Sequence, residues 1–85
     1  MERHLKGISN HWRIAVLMLI ADEEGISVEE ISDKLHCNFK TLSIHLIKLV
    51  NAGLIDKKYK GRNVVHHLTP YGKLFVSFLT TFQHS

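Results

Sequence analysis

The chain has 85 residues, a net charge of +3 and an apolar fraction of 45%, which suits one packed core and excludes both a second core and a disordered chain. Its one cysteine excludes an internal disulfide framework and gives no sign of an oxidising compartment. The longest apolar run, the eight residues Ile14 to Ala21, is too short to span a bilayer, and Asp22-Glu23-Glu24 follows where a signal peptide would be cleaved, so a soluble, cytoplasmic protein is expected.

In chain order, the segment from Asn10 to about Glu24 is apolar almost all round, which predicts a helix buried by several neighbours. Ser27 with Glu30 three residues later is a capping box and predicts a helix from Ser27 to Leu35. His36-Cys37-Asn38 is a break, and Asn38 is a good N-cap for a second helix, Phe39 to Ala52. In that helix Leu42, Leu46, Leu49 and Val50 recur at helical spacing as a core stripe. Lys40, Ile44, Ile47, Lys48 and Asn51 fall on its other side. Gly53 closes the helix by taking the left-handed conformation. Leu54 to Tyr59 and Val64 to Leu68 read as two short strands around Lys60-Gly61-Arg62-Asn63, where Gly61 serves a tight hairpin. Thr69-Pro70 opens a last helix, with threonine as N-cap and proline at the first helical position.

This order is the layout of a winged helix-turn-helix. The expected fold is α+β and mostly helical, with a two-stranded wing and a C-terminal helix, in a single domain over residues 1–85. The recognition helix spans about 39–52, the wing about 54–68 and the last helix about 70–83. Such a unit presents one helix to a DNA major groove and lays a charged loop beside it.

Charge is segregated along the chain. Residues 22–37 hold Asp22, Glu23, Glu24, Glu29, Glu30 and Asp33 against Lys34, a balance of −5, whereas residues 38–67 hold Lys40, Lys48, Lys57, Lys58, Lys60 and Arg62 against Asp56, a balance of +5. Clustered cations neutralise phosphates and release counterions, the main sequence-independent source of DNA affinity. Lys40, Thr41, Ser43, Ile44 and His45 occupy the part of the second helix expected to meet base edges, with Lys48 beside them. Lysine and serine hydrogen-bond bases or phosphates, and Ile44 suits a thymine methyl. Lys57, Lys58, Lys60 and Arg62 are expected on backbone phosphate, with Arg62 at the wing tip and the minor groove within its reach. The rival reading is a protein-interaction or assembly module, with Ile44 and Ile47 as apolar anchors.

Leu74, Phe75, Phe78, Leu79 and Phe82 crowd the last helix. Two readings stand: intramolecular packing, and a homodimer interface, which the size of the patch favours. Seven histidines invite a metal, but His66-His67 are adjacent on a strand and point to opposite faces. His4, His11, His36 and His84 are scattered, and there is no Cys-x-x-Cys, so neither a metal nor a cofactor is expected. Cys37 lies in the turn, where structural filler and a thiol switch are both open readings. The acidic run at Asp22-Glu23-Glu24 reads as a solvated helix end. No phosphate loop, nucleophile elbow or acid–base constellation points to an enzyme.

Ile8-Ser9-Asn10-His11-Trp12-Arg13-Ile14-Ala15-Val16-Leu17, Thr41-Leu42-Ser43-Ile44-His45-Leu46, Asn51-Ala52-Gly53-Leu54-Ile55 and the span Lys58 to Leu68 occur in an order that resembles the ArsR/SmtB family of small bacterial and archaeal repressors. The resemblance covers about residues 5–82. It implies a winged-helix repressor of double-stranded DNA. MarR-like and other winged-helix regulators share that scaffold. The departures are specific. The family's cysteine pair corresponds to about Ser27 and Glu29, which cannot hold a soft metal as thiolates do. A second family site uses Asp and His on the last helix, but the matching region begins Pro70-Tyr71-Gly72 and holds no histidine before His84. Metal sensing therefore does not carry over. Ile44 stands where an arginine is common, so no base preference carries over either.

Overall fold

Helix α1 (Glu2–Asp22) runs through the middle of the fold. The structure, a computed structural model, describes the backbone of residues 2–84 and the side chains of residues 11–81. Val16, Leu17 and Ile20 on α1 are 0–1% exposed. The helix packs against every other helix and one strand, as its all-round apolar character predicts. It starts earlier than the apolar run, since Glu2, Arg3 and Lys6 are acceptable helix formers that leave no apolar signal.

After α1 the chain enters strand β1 (Ile26–Ser27), then α2 (Val28–Leu35) and α3 (Phe39–Asn51). Ser27 caps α2 as its spacing predicts: its hydroxyl accepts from the Glu30 amide at 3.2 Å, and Glu30 accepts from the Ser27 amide at 3.4 Å. His36 ends α2 in the left-handed region at φ 50°. Ser32 then donates to the Cys37 carbonyl at 2.7 Å and fastens the turn. The Asn38 side chain accepts from the Lys40 amide at 2.8 Å and opens α3. Cys37 is buried against the core.

Strands β2 (Ile55–Lys60) and β3 (Asn63–Leu68) form the wing, closed by a two-residue turn at Gly61-Arg62. Gly61 has φ +65°, the sign a primed hairpin turn needs at its first central position. The wing has a third strand that the sequence does not advertise. β1 pairs antiparallel with β3, Ile26 opposite His66 and Ser27 opposite Val65, in the order β1-β3-β2. Two residues are too few to show a period, and Ser27 serves both as strand and as helix cap.

The acidic run is also more than a solvated end. The Glu24 carboxylate accepts from the Leu68 amide at 3.0 Å, and Glu23 pairs with Lys34 at 2.6 Å.

Helix α4 (Pro70–His84) is seated on the exit of α3. The Thr69 hydroxyl donates to the Gly53 carbonyl at 2.6 Å and accepts from the Gly72 amide at 2.9 Å, while the Thr69 amide donates to the Leu54 carbonyl at 3.1 Å. The apolar residues of α4 do not form one stripe, which corrects the expectation for Phe75. Phe75 and Val76 pack against the core. Leu79 is half-buried. Leu74 and Phe78 are 71% and 59% exposed and share their face with Tyr71, 58% exposed. The described members of the stripe divide between two faces of the helix, of which only one is outward. Phe82, like His4 and His84, lies outside the described side chains. Among the described residues no helix is long and apolar enough to cross a membrane.

Candidate nucleic-acid interface

Helix α3 buries Leu42, Leu46 and Leu49 and turns Lys40, Thr41, Ile44, Ile47, Lys48 and Asn51 outward. The outward stripe runs Lys40, Ile44, Ile47, Asn51, with Thr41 and Lys48 on one flank. Ser43 is half-buried, and its hydroxyl donates to the Phe39 carbonyl at 2.9 Å, leaving its lone pairs to accept. Phe39, at the start of the helix, is 55% exposed.

His45 does not belong to this face, which corrects its expected role as a base contact. It is 6% exposed, and its Nδ1 has no hydrogen-bond partner among the described residues. The signal was present in the sequence: His45 lies three residues after Leu42 and four before Leu49, inside the core stripe. Burial, then the charges of Arg13 and Lys48, hold its pKa below the ordinary 6.5.

The wing carries Lys57, Lys58, Lys60 and Arg62, all exposed. Register sorts them onto two faces. Lys57 stands opposite His66, and Lys58 stands opposite Val65. Lys57, Val64 and His66 line a cleft of about 310 Å³ against Ser43, Ile47 and Asn51 of α3. Lys57 therefore sits on the face that looks toward α3, and Lys58 and Lys60 on the opposite one. Tyr59, on the Lys57 face, is 76% exposed and joins Phe39 as an exposed aromatic that charge counting overlooks. The cations thus lie on the outward side of α3 and on both faces of the wing, with Asp56 as the only carboxylate on either element.

His66 is 2% exposed, and its Nδ1–H donates to the Ile26 carbonyl at 3.3 Å, tying β3 to β1. Its pKa is lowered by burial; the Ile26 bond opposes this, and Lys57 and His67 add to it. Both buried rings therefore resist protonation more than the unfolded chain does. Their contribution to stability is full above about pH 6.5 and is lost as pH falls below it, because the unfolded state then binds more protons. Urea midpoints should drop between pH 7.5 and 5.5, and less so in His45→Leu. Equal midpoints at the two pH values would remove the linkage. Among the described residues no three His, Cys, Asp or Glu side chains gather as a metal site.

The family model described as bacterial regulatory protein, arsR family, matches residues 10–57. No curated protein matches the chain. Among solved structures, a MarR transcriptional regulator from Methanosarcina mazei Go1 is 26% identical with a TM-score of 0.79, over 85% of this chain and 49% of that one. Wild-type MarR from E. coli is 25% identical with a TM-score of 0.70, over 73% and 48% of the two chains. Streptococcus pneumoniae FabT, solved in complex with DNA, is 21% identical with a TM-score of 0.79, over 85% and 52%. The chain spans about half the length of these solved structures.

Proposed function

Because the chain belongs to the ArsR family of bacterial regulatory proteins, we propose that it is a sequence-specific DNA-binding transcriptional regulator, working in the cytoplasm as a homodimeric repressor. The observation that carries the reading is the shared placement of Lys40 and Lys48 on the outward side of α3 and of Lys57, Lys58, Lys60 and Arg62 on the wing beside it. Helix α3 enters the major groove and reads bases, and the wing holds phosphate. FabT, a protein of the same fold solved with DNA, supports this use of the scaffold. Pairing rests on Tyr71, Leu74 and Phe78 of α4, spaced i, i+3, i+7 on one exposed face. A second copy covers that face and supplies the second half-site.

Selection of duplexes from a random pool, followed by a shift assay across a salt series, tests the reading. Affinity should fall steeply with salt. The exposure of Ile44 and Ile47, 50% and 55%, favours a second reading, an apolar docking surface for a protein. Such docking would be nearly indifferent to salt.

The wing gives a sharper test. Replacing Lys58, Lys60 and Arg62 with alanine should weaken binding to selected and random duplexes by similar factors, since phosphate contacts carry no base information. The salt slope should flatten by about one unit per lost contact. An unchanged slope would remove the wing from the interface.

A further inference from the structure

Ile44 and Ile47 are adjacent on the outward stripe of α3, between Lys40 and Asn51, and about half exposed. Neither belongs to the buried core, which α3 supplies from its other side with Leu42, Leu46 and Leu49. Two large apolar side chains side by side on a water-facing surface suit an occupant with apolar groups at matching positions. The surroundings select its charge. No carboxylate lies on α3, and cations flank the pair on the helix and on the wing. The occupant is therefore a polyanion that carries isolated apolar groups. Double-stranded DNA fits, because the thymine C5-methyl is the one apolar group on the major-groove base edges.

We propose that Ile44 and Ile47 determine the operator by packing on thymine methyl groups; the inference rests on the DNA-binding reading above. Isoleucine has no hydrogen-bonding atoms, so its preference works in two ways. It gains by covering a methyl, and it penalises a cytosine amino group, which it would strip of water without replacing the bond. The two residues are separated by about 4.5 Å along the helix axis, against about 3.4 Å per base step. Their thymines therefore fall on neighbouring or next-neighbouring base pairs, on either strand.

The test uses the intact chain and the duplex selected from the random pool. Each thymine is replaced in turn by deoxyuridine, which removes the methyl and leaves every hydrogen-bonding group. Affinity should fall about fourfold at one or two close positions and stay level elsewhere, the loss expected for one uncovered methyl. Ile44→Ala and Ile47→Ala remove exposed side chains in favour of a good helix former, so both should fold. Each should bind the thymine duplex more weakly and lose the distinction between thymine and uracil at its own position. Salt-sensitive binding that ignores every thymine-to-uracil change would overturn the inference and leave DNA binding intact. Failure to bind any duplex at about 50 mM salt, where backbone attraction is strong, would overturn the DNA-binding reading and this inference with it. Salt-indifferent capture of a protein through Ile44 and Ile47 would do the same.

Discussion

Gly72→Ala should lower the melting temperature by about 10–20 °C, although alanine is the better helix former. Helix propensity alone predicts a gain of about 1 kcal/mol for this change inside a helix. Packing decides against it. A Cβ on Gly72 would overlap the carbonyl oxygen of Leu54, stand 2.9 Å from its carbonyl carbon and lie 3.3 Å from the Thr69 hydroxyl. The obstacle is backbone, so no side chain can swing aside. Relief requires lifting α4 from the loop after α3, which stretches the Thr69 bonds to Gly53 and Leu54. Overpacking of this kind costs about 2–3 kcal/mol net. In a domain of this size each kcal/mol moves the midpoint by about 4–8 °C. Calorimetry of the two proteins reads the difference directly. A rise, or no change, would mean that α4 is not seated on Leu54.

Leu74→Glu should leave the fold intact and abolish pairing. Leu74 is 71% exposed in the single chain, so a carboxylate there stays in water, and stability should change by no more than about 0.5 kcal/mol. In a two-fold pair the same carboxylate enters a dry contact, and symmetry places it there twice. Burying an uncompensated charge costs several kcal/mol. The variant should sediment as a monomer at tens of micromolar, roughly the range of weak dimers. Its affinity for a two-half-site operator should fall about a hundredfold or more, because the second half-site loses the high local concentration that linkage provides. Single half-site binding should be unchanged. If the wild type itself sediments as a monomer at that concentration, the dimer reading fails.

Local chemistry was legible in the sequence. The capping box of Ser27 and Glu30, the Asn38 cap, the left-handed Gly53 and the Thr69-Pro70 start are each set by a few neighbouring atoms, and each marks its boundary in the structure. The family resemblance was legible for the same reason, as an ordered set of such signals. What escaped was decided by distant partners. β1 exists because His66 and Val65 arrive beside it from across the chain. Phe75 could be told from Leu74 only by knowing which side of α4 meets Leu54, and Gly72, the small residue on that side, was the available clue. In the candidate site, the positions of the lysines followed from the elements that bear them. Their division between two wing faces needed the strand register.

On the proposed reading, the seat of α4 would also govern distance on DNA. Thr69 grips Gly53 at 2.6 Å, one residue beyond the C-cap of α3, so the helix proposed to read bases is tied directly to the helix proposed to pair. Two copies joined through α4 would act as a caliper with a fixed jaw. Each base pair inserted between half-sites shifts them by about 3.4 Å and turns them by roughly 35°. A regulator with a floppy joint would follow that shift, whereas this one would lose one of its two grips. Spacing, as much as base sequence, would then decide which stretches of a genome count as its sites.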